Sequence, residues 1–236
     1  MSGFTTDELL YPLTKGEAVG HPFRGNQWTT VGGITPEVAN FITDKANAFY
    51  KAGGTIEHLK PGATKLSNGR TLASEKDRLK QEVAPIGAKL FTPEWIPKEL
   101  PEKERQPLAR LHEGYGTNIT NLALAPTSKS SLLVALDKDG NVVGTLDYTQ
   151  GEQTRVGMLG STNSTSGIAT ALEVEVARLA AKNDTPVWSE ATSDSENFHA
   201  LMGRTLTPRG TDLTASRWTP EEAKAIASLP IGPKHL

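Results

Sequence analysis

The chain has 236 residues, a formal net charge of −2 and a pI near 6.2, so it carries no basic field of the kind that non-specific nucleic-acid binding needs. It contains no cysteine, which excludes disulfides, thiolate nucleophiles and cysteine-ligated zinc. A hydrophobic content of 36% supports a real core, while 22 glycines and 15 prolines leave part of the chain extended or loop-like.

The first residues, MSGFTTDELLYPLTKGEAVG, are acidic where a signal peptide needs a basic start, and no segment approaches the ~20 apolar residues of a membrane span. The chain reads as soluble, folded in the cytosol and without a visible export address. Residues 1–34 lack periodicity and read as an extended arm. Within it GHPFRGNQW, from Gly20 to Trp28, sets two aromatics and an arginine among turn formers. Either Phe23 and Trp28 pin the arm to the domain surface, or Phe23, Arg24 and Trp28 form a docking tag, since these residue types make binding hot spots. HPFRGNQ followed by an aromatic resembles a short segment that recurs in otherwise unrelated proteins encoded near the capsid genes of actinobacterial phages. That resemblance is silent on the fold. It implies a phage-encoded protein, placed in the virion or the host cytoplasm, with Phe23, Arg24 and Trp28 as anchors to capsid or head proteins.

Residues 35–110 read as a helical and loop region. Thr35-Pro36-Glu37 is a helix start, with a threonine cap, proline at the first position and an acid in the first turn. Val38, Phe41, Ile42, Ala46 and Phe49 follow at helical spacing and Gly53-Gly54 ends the run. Residues 55–70 hold PGA and SNG turn signals and form a short hairpin or a loop. Ser74 to Val83 is a charged amphipathic helix stopped near Pro85. Five prolines between Pro85 and Pro107 then make a linker-like crossing.

Residues 111–218 read as a mixed α/β domain. SSLLVALDKDGNVVGTLDYT is an apolar strand, a turn and an alternating strand, the strongest hairpin signal in the chain. RVGML, Arg155 to Leu159, is the next strand. A helix from about Gly167 to Ala181 places Ile168, Leu172, Val176 and Leu179 on one face. Val187-Trp188-Ser189 is a short strand, Ser195 to Met202 a short helix capped by Ser195, and Thr205 to Thr207 one more strand. Residues 219–236 form a C-terminal helix, started by Thr219-Pro220-Glu221, and a tail. Trp188 and Trp218 are expected to fill the core or line a groove.

Between strand and helix, LGSTNSTSGIATALEVEVARLA runs from Leu159 to Ala180. Ser161, Thr162, Ser164, Thr165, Ser166 and Gly167 offer more small polar residues than capping requires. Unpaired N–H groups at the positive end of a helix dipole suit a phosphate or pyrophosphate, and small side chains leave the approach open. A flexible polar loop has the same composition.

The order of these elements resembles the GNAT N-acetyltransferase superfamily over about residues 115–210. That family's pyrophosphate loop reads Gln/Arg-x-x-Gly-x-Gly/Ala; Gly167 and Ala169 match it and Ser164 stands in place of the Gln or Arg. The resemblance implies a GNAT-like α/β (α+β) fold, a mixed and mostly antiparallel sheet flanked by helices. It implies acetyl-CoA as cofactor, bound by Leu159, Ser161, Ser164, Ser166, Gly167, Ile168 and Ala169, with acetyl transfer to an amine acceptor. On the same alignment His199 stands where a Tyr protonates the leaving thiolate, and Arg204 replaces a Phe. The base that takes the amine proton falls to Glu190 first, Asp147 second and Glu152 third, each with an ordinary alternative as a solvated charge. The competing function is a catalytically inactive virion component that keeps the fold. His21, His58, His112, His199 and His235 show no metal-ligand spacing, so no metal is expected.

Overall fold

The computed structural model describes residues 31–79, 129–162, 166–192, 195–209 and 213–236. The proposed anchors Phe23, Arg24 and Trp28 lie outside the described residues, as does Ser164.

The first helix, α1 (Pro36–Lys51), starts as its sequence dictates: the Thr35 side chain accepts from the Val38 N–H and Pro36 occupies the first turn. Its buried stripe of Val38, Ile42, Ala46, Phe49 and Tyr50 follows helical spacing. The stretch of turn signals that follows forms a single strand, β1 (Thr55–Leu59), whose partner is β2 (Ser131–Leu136). The sheet therefore begins well before residue 111. A second helix, α2, spans 72–79.

The hairpin is formed by β2 and β3 (Val142–Thr149), closed by a turn in which the Asp137 carboxylate accepts from the Asp139 and Asn141 amides. β4 (Thr154–Ser161) extends it, and α3 (Ile168–Asn183) crosses to β5 (Val187–Thr192). A short helix, α4 (Glu196–Leu201), precedes β6 (Thr205–Arg209), β7 (Leu213–Trp218) and α5 (Pro220–Ala227). Ser195 precedes α4 but does not cap it, because its hydroxyl is turned back onto Thr192. The strand order is β1-β2-β3-β4-β5-β7-β6, antiparallel throughout except for the β4–β5 pair. This is the mixed, mostly antiparallel sheet flanked by helices that the resemblance implies.

The apolar residues sort onto two faces by strand alternation. Leu133, Ala135, Leu146, Tyr148, Val187 and Trp218 meet α1, α3 and α5 on one face. Leu132, Val134, Leu136 and Val142 meet Leu72 and Leu79 of α2 on the other. α3 is the centre of the first layer and is buried on more faces than its sequence stripe: Thr170, Ala171, Glu173, Val174, Ala177 and Ala180 are covered as well, whereas Leu179 is only partly buried. No helix among the described residues is long and apolar enough to cross a membrane.

Candidate active site

β4 and β5 share a ladder only at Thr154↔Val187 and Arg155↔Trp188. Beyond those two positions β4 continues against β3 alone and β5 against β7 alone, so their facing edges part. The cause lies in β4 itself. Tyr148 pairs with Val156 and Leu146 with Leu159, which sets Gly157 and Met158 together opposite Asp147. Such a bulge bends the strand and increases its twist, turning it away from a parallel neighbour. Asp147 holds the bulge in place: its carboxylate accepts from the Met158 N–H, and a Cβ on residue 157 would lie 2.5 Å from its Oδ2. A larger residue at 157 would displace that carboxylate from the Met158 N–H.

At the open end of the parting stands the start of α3. Gly167 has φ 84°, and a Cβ on it would fall 1.8 Å from the Lys45 carbonyl oxygen of α1, so both conformation and space demand glycine. Among the described residues no side chain caps this helix, and no acid lies in its first turn. Ala171 N–H returns to the Gly167 carbonyl, while the amides of Ile168, Ala169 and Thr170 meet no acceptor among the described residues. The positive end of this 16-residue helix therefore meets no protein acceptor or acid among the described residues, an arrangement that suits an anion.

The described residues among those singled out for cofactor binding lie at the end of β4 and the start of α3, though not all by side chain. Ser161 ends β4 opposite Gly144, and Ser166 lies exposed beside Gly167. Ile168 is buried with its Cγ2 packed where a Cβ on Gly144 would sit, and Leu159 packs against the main core, so both offer only backbone to a ligand.

The three carboxylates separate. Glu190 is exposed on β5, two residues beyond the last β4–β5 pair and on the sheet face away from α3. Asp147 shares that face but is committed to the bulge. Glu152 lies in the turn before β4, at the closed end of the parting.

His199 is buried between α4 and β7, 6% exposed, with Nδ1 3.0 Å from the Ser216 hydroxyl. Burial pulls its pKa from the ordinary 6.5 down to about 3, and the positive charge of Arg204 acts in the same sense. At neutral pH it holds no imidazolium proton to give. Arg204 is wholly buried, bonded to the Glu173 carboxylate and, at 3.2 Å, to the Ser189 hydroxyl, with its guanidinium 4.0 Å from the Trp218 ring centroid. Glu173 faces it from α3, also without solvent exposure. The sequence reading passed over this pair. Its available signal was Arg204 standing where the resembled family has a Phe: a cation in an apolar position calls for a buried anion, and Glu173 interrupts the apolar run of α3.

No family model and no curated protein matches the chain by sequence. Solved structures to which it is similar include nourseothricin acetyltransferase, at 18% identity and TM-score 0.33 over 38% of this chain. They also include an acyl-CoA N-acyltransferase from Pseudomonas aeruginosa, at 15% identity and TM-score 0.37 over 70% of this chain and 98% of that one. An acetyltransferase of the GNAT family from Staphylococcus aureus Mu50 aligns at 10% identity and TM-score 0.36 over 69% of this chain and 99% of that one. The chain spans 64% of the length of nourseothricin acetyltransferase.

Proposed function

We propose that the chain binds acetyl-CoA along the parted edge of β4 and at the start of α3, and transfers the acetyl group to an amine. One observation carries this reading: β4 leaves β5 after two paired residues, beside an uncapped helix start whose first amides meet no acceptor among the described residues. An open strand edge suits the amide groups of a pantetheine arm, as in strand addition. A helix start lined by Ser166 and Gly167, with no acid in its first turn, suits a diphosphate. When bound, acetyl-CoA supplies an activated thioester.

The chain's own groups then have separable tasks. Backbone N–H groups of β4 and α3 bind and orient, at no cost in side-chain ordering. Glu190, exposed beside the parting, takes the proton that the amine sheds, directly or through water. His199 serves structure rather than acid catalysis, because burial keeps it neutral.

A second reading is favoured by that same histidine. A domain whose presumptive acid is neutral and enclosed is also consistent with a binding module that keeps the cleft without the chemistry and serves virion assembly through Phe23, Arg24 and Trp28. Acetyl-CoA binding is common to both readings, and release of coenzyme A in the presence of an amine belongs to the first alone.

Thermal unfolding tests the binding step. Acetyl-CoA at a hundredfold excess over its Kd stabilises the folded state by about 2.7 kcal/mol, a rise of several degrees in a chain of this size. Ser166→Glu places a carboxylate at the positive helix end, which suits the helix but repels a diphosphate. Its expected outcome is an unchanged or slightly higher Tm and no response to acetyl-CoA. An unresponsive wild-type protein contradicts the proposal.

A further inference from the structure

The sheet face that carries Glu190 also carries an unusual group of side chains. Trp188, Arg217 and Thr205 form one row across β5, β7 and β6, and Arg155 of β4 joins the same row opposite Trp188. The Arg155 guanidinium carbon stands 4.5 Å from the Trp188 ring centroid. That of Arg209 reaches back along β6 to 5.8 Å from the same ring. Between them the row Glu190, Ala215 and Thr207 has a small residue at its centre.

Arg155, Arg209 and Arg217 are exposed, and none has a carboxylate partner among the described residues. Glu190 likewise has no ion-pair partner there. The other arginines among the described residues are paired: Arg70 and Arg78 with Glu75, Arg178 with Glu175, Arg204 with Glu173. Three arginines without a carboxylate partner on one sheet face, two of them over one indole and the third opposite it in register, are therefore an exception among the described residues. Planar guanidinium forks match carboxylate and phosphate oxygens, and stacking on an aromatic ring fixes their orientation in advance. Along β4 Arg155 lies six residues from Ser161, roughly 20 Å along the strand, too far to serve a diphosphate held at that strand's end. From Glu190 the group is separated by one row, about 6–7 Å along the strand.

We propose that the acceptor is a small primary amine that also bears an anionic group, a carboxylate or a phosphate, held by Arg155, Arg209 and Arg217 around Trp188 with its nitrogen at Glu190. This inference rests on the acyl-transfer reading above and names its substrate class. The amine nitrogen forms the new C–N bond to the acetyl carbon of acetyl-CoA as the C–S bond breaks. The proton lost from nitrogen passes to Glu190 and thence through solvent to the departing sulfur, giving the amide and free coenzyme A.

The test uses the full chain with acetyl-CoA and matched amines: γ-aminobutyrate, phosphoethanolamine, n-butylamine and spermidine. Coenzyme A release with a kcat/KM at least tenfold higher for one of the anionic amines than for n-butylamine or spermidine supports the proposal, and the two anionic arms distinguish carboxylate from phosphate. Arg209→Gln and Arg217→Gln, both at exposed positions, raise the KM for that amine about tenfold without altering acetyl-CoA affinity. Equal or better turnover of n-butylamine or spermidine overturns it. A second measurement is independent of turnover: the indole N–H signal of Trp188, assigned with Trp188→Phe, shifts on addition of the anionic amine without acetyl-CoA. No shift, in a protein that acetyl-CoA does stabilise, overturns this inference alone. Absence of acetyl-CoA stabilisation overturns the reading on which it rests.

Discussion

Arg204 and Glu173 face one another without solvent exposure, and each keeps one polar atom, Arg204 Nε and Glu173 Oε1, with no hydrogen-bond partner among the described residues. Removing one member of such a pair leaves an uncompensated buried charge, which costs about 3–5 kcal/mol, whereas replacing both with apolar residues of like volume is often neutral. Arg204→Met is therefore expected to lower the urea midpoint sharply and Arg204→Met/Glu173→Met to recover most of the loss. Equal stabilities for the two variants contradict the pairing. His199 gives a pH signature. Its pKa is near 3 folded and 6.5 unfolded, so the unfolded chain binds the proton more tightly. The stability contributed by the neutral imidazole is present above pH 6.5 and falls by about 1.4 kcal/mol per unit as pH drops below it. Carboxylates titrate lower, so the slope between pH 6.5 and 5 belongs to histidines, and comparison with a variant separates His199 from the other four. His199→Gln, measured by denaturant unfolding, is expected to flatten that slope. The residue types at these positions were visible in the sequence; their partners were not, because Glu173 and Arg204 are 31 residues apart and meet only once α3 lies on the sheet.

At the scale of elements, Gly167 couples the helix start to α1 through the close approach of Lys45. Gly167→Ala combines an unfavourable positive φ with a clash against backbone, an expected loss of about 2–5 kcal/mol in thermal or urea unfolding. Gly62 also has positive φ, at 77°, but open space beyond it, so Gly62→Ala is expected to cost only about 1–2 kcal/mol. Similar losses for both would show that the contact with α1 does not matter. α1, the β2–β3 hairpin and the capping box of α5 were legible because their signals are local: Thr-Pro-Glu starts and an alternating pair around Asp-Lys-Asp-Gly-Asn. β7 was not. Its inward positions are Thr214, Ser216 and Trp218, two of them polar, so the apolar alternation that marks a strand is missing. β1 was hidden among turn signals, with only Leu59 of its five residues buried.

Across the whole molecule, the parting of β4 and β5 joins the parts of the account. It places the start of α3 at one end, Glu190 along its side and the arginine–tryptophan group at its closed end. None of this geometry is written locally, since it depends on the register of strands brought together by α3 and on a bulge whose glycine has no neighbouring turn signal. Composition and element order led to the fold class, and the small residues Ser161 and Gly167 stand at the end of β4 and the start of α3. The most direct test of the central claim, that the β4 edge and the α3 start together hold acetyl-CoA, is amide hydrogen exchange followed by mass spectrometry with and without that ligand. Slower exchange confined to peptides covering residues 156–161 and 166–170 is the predicted result. Unchanged exchange there at saturating acetyl-CoA, or protection confined to other parts of the sheet, would contradict it.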